Sequence, residues 1–304
     1  MNKKRKFAWS VSAALVTLAC SATANAGGSG WGEAEPALRS DGTQVPGGCP
    51  IESPAGRFLF TARNPGTGID IYVNQRDASG AAFSPGSALP EPANDPSAND
   101  FCPTPRPDGE LLFVSTRAGT CGSADIHHAI NHPATGWSEP QNLGCEPAGP
   151  NTPGTEFSPA IVETKWGTYL FFSTDYHTGK QDIYVRRMQD DGSFGPGKRL
   201  GYPINTEYND QQPNVSQDGR EIVFASDRPS SPDDESGFDV FYAKRQGIFS
   251  SWRRVKNLSE SVPFETVDAS ETRPSLSFDG QRLYYGSGGV WISERKRRNG
   301  HWKN

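Results

Sequence analysis

Four acidic residues stand three positions ahead of a proline in what is nearly the same phrase: Asp100, Glu156, Asp210 and Glu271, before Pro103, Pro159, Pro213 and Pro274. A fifth copy of the phrase carries Gly47 ahead of Pro50. Carboxylates gathered in one place must protonate, pair with cations or coordinate a metal. Two chemistries are open to such a set. It can hold Ca²⁺ or a cationic group of a partner, or two of its members can act as acid and base on a glycosidic bond. The third reading is structural, each carboxylate capping the backbone where its repeat begins. The position recurs with the repeat, whereas catalytic residues usually break one, so the structural reading is preferred and the four remain candidates only.

The elements that must position them emerge from the repeat. The five copies read CPIESPAGRFLFTAR from Cys49, CPTPRPDGELLFVSTR from Cys102, SPAIVETKWGTYLFFSTD from Ser158, QPNVSQDGREIVFASDR from Gln212 and RPSLSFDGQRLYYGSGG from Arg273. A period of a little over fifty residues fits a propeller blade. Asp108-Gly109, Asp218-Gly219 and Asp279-Gly280 supply the positive φ angles of a tight hairpin turn, and the apolar run after each is a central strand. A second signature follows in IDIYV at Ile69, ADIHH at Ala124, QDIYV at Gln181 and FDVFY at Phe238, and a third in GWSEPQNL at Gly136 and SWRRVKNL at Ser251. These make a third strand and an outer fourth. Four antiparallel strands form a blade that buries its faces only against neighbouring blades. The expected fold is therefore all-β, a single five-bladed β-propeller with repeats centred on 49–90, 102–143, 157–200, 211–258 and 272–295. The last repeat lacks its fourth strand, and Trp31-Gly-Glu-Ala-Glu-Pro-Ala-Leu, at 31–38, is expected to supply it. Gly300-His301-Trp302 is a competing candidate.

This run of Pro, Asp-Gly, apolar strand, Ser-x-Arg and Asp-Ile-Tyr resembles the WD40-like (PD40) repeat of the TolB-type propeller domain. The resemblance is specific in the second and fourth repeats. It weakens where Ala55-Gly56 and Lys165-Trp166-Gly167 replace Asp-Gly and where the fifth repeat lacks both Arg and Asp. It implies the propeller fold and a habit of binding proteins or small ligands; fold alone assigns no function.

Arg63, Arg117 and Arg228 each end a strand, and Asp70, Asp125 and Asp239 begin the next, so charge-assisted pairs within each hairpin are expected. In the third repeat Asp175 stands where Arg is expected, leaving Lys180 or His177 to serve Asp182. Departures from the repeat are candidate ligand-binding surface: Trp166, Tyr169, Tyr176 and His177, with the acidic insertion at 230–237. Trp166 is read either as an exposed platform or as packed between blades. His127 and His128 alternate in a strand and face opposite ways, which argues against a metal site with His132. Gly192 to Arg199 mimics a P-loop, but Arg199 stands in place of Ser/Thr and no helix follows.

The chain has 33 glycines and 25 prolines, which suits many short strands joined by turns. Its net charge of −5 gives no attraction for a phosphate backbone, so nucleic acid is not an expected partner. Residues 1–26 read as a secretory signal peptide: a basic start, a short apolar stretch and Ala24-Asn25-Ala26. Lipidation at Cys20 is the alternative. The expected location is periplasmic or secreted, with no transmembrane segment in the mature chain. There Cys49, Cys102, Cys121 and Cys145 make an even set, two disulfides being expected. Cys49 and Cys102 occupy the same slot on neighbouring inner strands, and Cys121 with Cys145 completes one of three pairings. The resulting expectation is a monomeric, non-catalytic scaffold for a protein or glycan partner, needing no cofactor, with Ca²⁺ in the central channel as a variant. The alternative is a propeller glycoside hydrolase or polysaccharide lyase using the channel carboxylates.

Overall fold

The structure, a computed structural model, describes residues 30–78, 80–229, 237–258 and 272–296. Residues 1–26, read above as a signal peptide, Glu271, residues 230–236 of the acidic insertion and Gly300-His301-Trp302 lie outside them. Among the described residues twenty-one strands form five antiparallel sheets. After β1 (Trp31–Pro36), the first blade holds β2 (Gly48–Glu52), β3 (Phe58–Arg63), β4 (Asp70–Gln75) and β5 (Ser87–Ala88). The second holds β6 (Asp100–Pro105), β7 (Glu110–Ser115) and β8 (Asp125–His132), edged by the short β9 (Gly136–Trp137) and β10 (Gln141–Asn142). The third is β11 (Glu156–Thr164), β12 (Gly167–Thr174), β13 (Asp182–Met188) and β14 (Lys198–Arg199), and the fourth β15 (Asp210–Val215), β16 (Glu221–Ser226), β17 (Asp239–Lys244) and β18 (Arg253–Asn257). The fifth contains β19 (Thr272–Leu276), β20 (Arg282–Gly286) and β21 (Val290–Arg295), and β1 completes it by pairing with β21. The ring therefore closes as the Trp31 phrase implies.

The Asp-Gly hairpins form because Gly109, Gly219 and Gly280 adopt φ of 85°, 70° and 67°, a region that costs other residues steric strain. Each blade interface has its own apolar core. Val162, Phe171, Phe224 and Trp252 pack between blades three and four, Leu59, Phe83, Tyr284 and Val290 between five and one. Trp31 is fully buried between blades four and five, with the Arg295 guanidinium 4.3 Å from its ring centre.

The recurring proline sits in a β-bulge. In every blade the proline and the residue before it face a single residue of the second strand, so the proline breaks no ladder bond. The residue before it takes a left-handed conformation each time: Cys49 (49°), Cys102 (51°), Ser158 (48°), Gln212 (54°) and Arg273 (34°). For non-glycine residues that conformation is costly. It recurs five times, and all five of these residues are buried.

Candidate functional site

Asp100, Glu156 and Asp210 open the innermost strands β6, β11 and β15, and all three are fully buried. They do not gather as free charges at a channel mouth. Asp210 accepts hydrogen bonds from the Thr206 amide (2.5 Å), the Thr206 hydroxyl (2.8 Å) and the Ser226 hydroxyl (2.6 Å), and it pairs with Arg228. Asp100 accepts from the Asp95 amide (2.7 Å) and pairs with Arg117 at 2.7 Å.

This corrects the expected pairs. Arg117 and Arg228 do not bind Asp125 and Asp239. Each turns inward, through Ser115 or Ser226 of its own Ser-x-Arg phrase, to the inner-strand carboxylate, which is cut off from water and needs a counter-charge. Asp125 is satisfied instead by the amides of Cys121 and Gly122 and by Asn142, and Asp239 by Asn257. Arg63 faces Asp70 across the hairpin, yet its guanidinium bonds Asn74 at 2.6 Å and Thr61 at 3.1 Å. The register puts Arg63 in the slot of Ser115 and Ser226, not that of Arg117 and Arg228. Asp182 is served by Arg199 at 2.6 Å and Thr178 at 2.7 Å, not by Lys180 or His177.

The third blade breaks this device. Glu156 lies opposite Thr174, so Tyr176, and not Asp175, occupies the place of the arginine. Tyr176 is exposed. Glu156 receives a 2.5 Å hydrogen bond from Thr152 on Oε1, while its buried Oε2 has no partner among the described residues. Burial pushes this carboxyl up, and the hydrogen bonds of Thr152 and Thr174 only partly oppose it, leaving it at about 7.

The bulge residues fill the axis. Arg273, fully buried, reaches from the fifth blade across the channel to the Pro103 carbonyl (2.5 Å), the Thr104 hydroxyl (2.6 Å) and the Pro159 carbonyl (3.4 Å). Its own amide donates to the Gln212 side chain at 2.8 Å. Cys49 and Cys102 lie buried in one cluster and are not bridged; Cys121 and Cys145 form a disulfide. Burial pushes the Cys102 thiol up, but the hydrogen bond with Cys49, the Arg273 charge and the hydrogen bonds of Ser158 outweigh it and bring the thiol down to about 7. The partner Cys49 is pushed well up, first by the same hydrogen bond. Among the described residues no three side chains of metal-binding type converge, and the axial guanidinium opposes Ca²⁺ at this level. His127 is buried against the Asp125 carbonyl, whereas His128 bonds Glu110 at 2.6 Å.

The surface candidates separate into two groups at opposite ends of β12. Tyr176 packs edge-on to His177 (5.1 Å between centroids), which in turn meets Tyr184 at 5.2 Å. Tyr169, at the other end, lines a groove of about 330 Å³ between blades three and four, and Trp166 stands beside it against Phe249 of the groove wall. Its walls come from the start of β12, the loop after β14 and the segment between β17 and β18. Trp166 is 50% exposed, Phe249 74% and Tyr202 85%; Trp166 meets Phe249 edge-on at 5.6 Å. Arg245 lies 4.1 Å from the Trp252 ring centre in the groove wall, its Nε on the Gly219 carbonyl at 2.6 Å. Sequence reasoning missed Phe249, Tyr202 and Arg245, which lie outside the repeated phrases. It also missed Arg273, which aligning the residue before each proline would have singled out as the one charged member.

No family model matches the sequence, and no curated protein does. The repeat's resemblance to PD40 thus rests on the residues quoted above. Solved structures share the fold. Endo-arabinase from Bacteroides thetaiotaomicron is 12% identical, with 88% of this chain and 100% of that one covered at a TM-score of 0.54. The catalytic domain of a GH62 α-L-arabinofuranosidase from Coprinopsis cinerea is 14% identical, covering 88% and 96%, also at 0.54. TolB from Acinetobacter baumannii is 18% identical over 82% of this chain and 54% of that one, at 0.47, so the chain spans about half of its length. At these identities the likeness is one of fold. No helix among the described residues is long and apolar enough to cross a membrane.

Proposed function

We propose that this chain is a non-catalytic binding propeller of the extracytoplasmic space, and that it receives a glycan or protein partner in the groove between blades three and four. The observation that carries the reading is the aromatic surface: Phe249 and Tyr202 stand exposed on one groove, where burial would stabilise each by roughly 1.5–3 kcal/mol, and the half-exposed Trp166 packs against Phe249 beside it. Such rings suit a sugar face or the apolar patch of a partner. Export agrees with the signal-like leader and with the Cys121–Cys145 bridge.

One observation favours the hydrolase reading. Glu156, at about 7, has the protonation a general acid needs near neutral pH. Its required partner is the weak point, since a glycosidase needs a second carboxylate facing the same substrate, and Asp100 and Asp210 are each sealed inside a blade by an arginine.

Purified mature protein is assayed for reducing-end release from a panel of polysaccharides, alongside Asp100→Asn/Asp210→Asn. The binding reading expects no release and a variant that melts early. Release that disappears in a variant of unchanged melting temperature makes the chain an enzyme. Loss of partner retention on Phe249→Ala, with wild-type melting, assigns the groove.

A further inference from the structure

We infer that the groove between blades three and four takes a carboxylated sugar, a uronic acid unit within an oligosaccharide. The inference rests on the binding reading above and names its ligand class. In a chain of net charge −5 the groove wall carries Lys198 and Arg245 and no acidic residue. Lys165 stands outside the lining, 4.5 Å from the ring centre of Trp166, which meets the groove residue Phe249.

Arg245 decides the class. Its guanidinium makes no ion pair among the described residues, and its Nη2 is buried without a partner. Burial pulls it down to about 10, so it still carries its charge at neutral pH. The half-buried guanidinium is held by aromatic rings on one side and a single carbonyl on the other, so its charge reaches the groove without being spent on a direct ion pair. Asp218 acts on the Arg245 charge through space without forming an ion pair, and a neutral sugar would use the rings but engage neither Arg245 nor Lys198. The combination of flat rings for the pyranose face and the two positive charges of Lys198 and Arg245 for the C6 carboxylate fits a uronate. The volume of about 330 Å³ lies at the small end of ligand sites, which suits one or two sugar units and not a folded epitope.

The test is calorimetric titration of the mature protein with a trimer of galacturonic acid and with a trimer of galactose, at low and high salt. Phe249→Ala, Arg245→Gln and Lys198→Ala are titrated in parallel, the two exposed-site variants guarding against a folding defect at Arg245. The expected result is at least about tenfold tighter binding of the acidic trimer, weakening with salt, and a loss of about fivefold or more in Phe249→Ala and in Lys198→Ala. Equal binding of both trimers, lost in Phe249→Ala, overturns the acidic class while leaving the groove as the binding site. Acidic-trimer binding that all three variants retain overturns the groove assignment. If neither trimer binds and a captured protein shields Trp166 and Phe249 from labelling, the uronate inference falls and the binding reading stands.

Discussion

Glu156→Gln should stabilise this protein, and only above a certain pH. The Glu156 carboxyl sits at about 7 in the folded chain against 4.5 when free. Between those values the folded state holds a proton that the unfolded chain has released, so stability falls as pH rises through that window. Below it both states are protonated and the difference vanishes; above it the full cost of about 3 kcal/mol applies. The cause is structural: Tyr176 stands where Arg117 and Arg228 neutralise the equivalent carboxylates, and Oε2 has no donor among the described residues. Glutamine keeps the shape and the Thr152 contact without ionising. Urea unfolding should then place variant and wild type within about 0.5 kcal/mol at pH 4.5 and separate them by about 3 kcal/mol at pH 8, the variant more stable, with a melting temperature raised by roughly 6 °C. A variant destabilised equally at both pH values would refute the reasoning, because it would mean an ionised Glu156 with a partner.

Removing one half of a sealed ion pair should be severe where removing both is mild. Arg228→Met strands Asp210 and should cost about 3–5 kcal/mol in urea unfolding, while Arg228→Met with Asp210→Asn should recover most of it. Cys102 should ionise below the ordinary thiol range when its S–H stretch is followed against pH, and Arg273→Met should move that midpoint upward by removing the neighbouring positive charge. Trp31→Ala should lower stability by about 3–5 kcal/mol in chemical denaturation, because it empties the core between blades four and five.

The fold was legible because its signals repeat: five prolines, the Asp-Gly turns and the Asp-Ile-Tyr phrase recur with one period, and Trp31 reproduces the outer-strand phrase of Trp137. The ion pairs were not, because the bulge inserts one residue into every inner strand and makes partner choice depend on register. A reading by hairpin neighbourhood sends Arg117 to Asp125, and the register sends it to Asp100. The same insertion hid Tyr176 in the arginine's place. The axial layer was invisible for the opposite reason: its position is constant, but its residues are Cys, Cys, Ser, Gln and Arg, which share no type. The groove was half visible, since Trp166 and Tyr169 break the repeat, whereas Tyr202, Arg245 and Phe249 come from distant segments that only folding brings together.

Arg273 gives the ring something a propeller's neighbour-to-neighbour packing cannot. A hoop joined at one seam, here β1 against β21, opens like a cut barrel once that seam is peeled. The Arg273 side chain runs across the hoop, from blade five to blades two and three, so it works as a spoke under tension whenever the circumference tries to widen. Loss of the seam and loss of roundness thereby become two separate mechanical events, and force applied at Trp31 has to unzip a strand before it can load the axle.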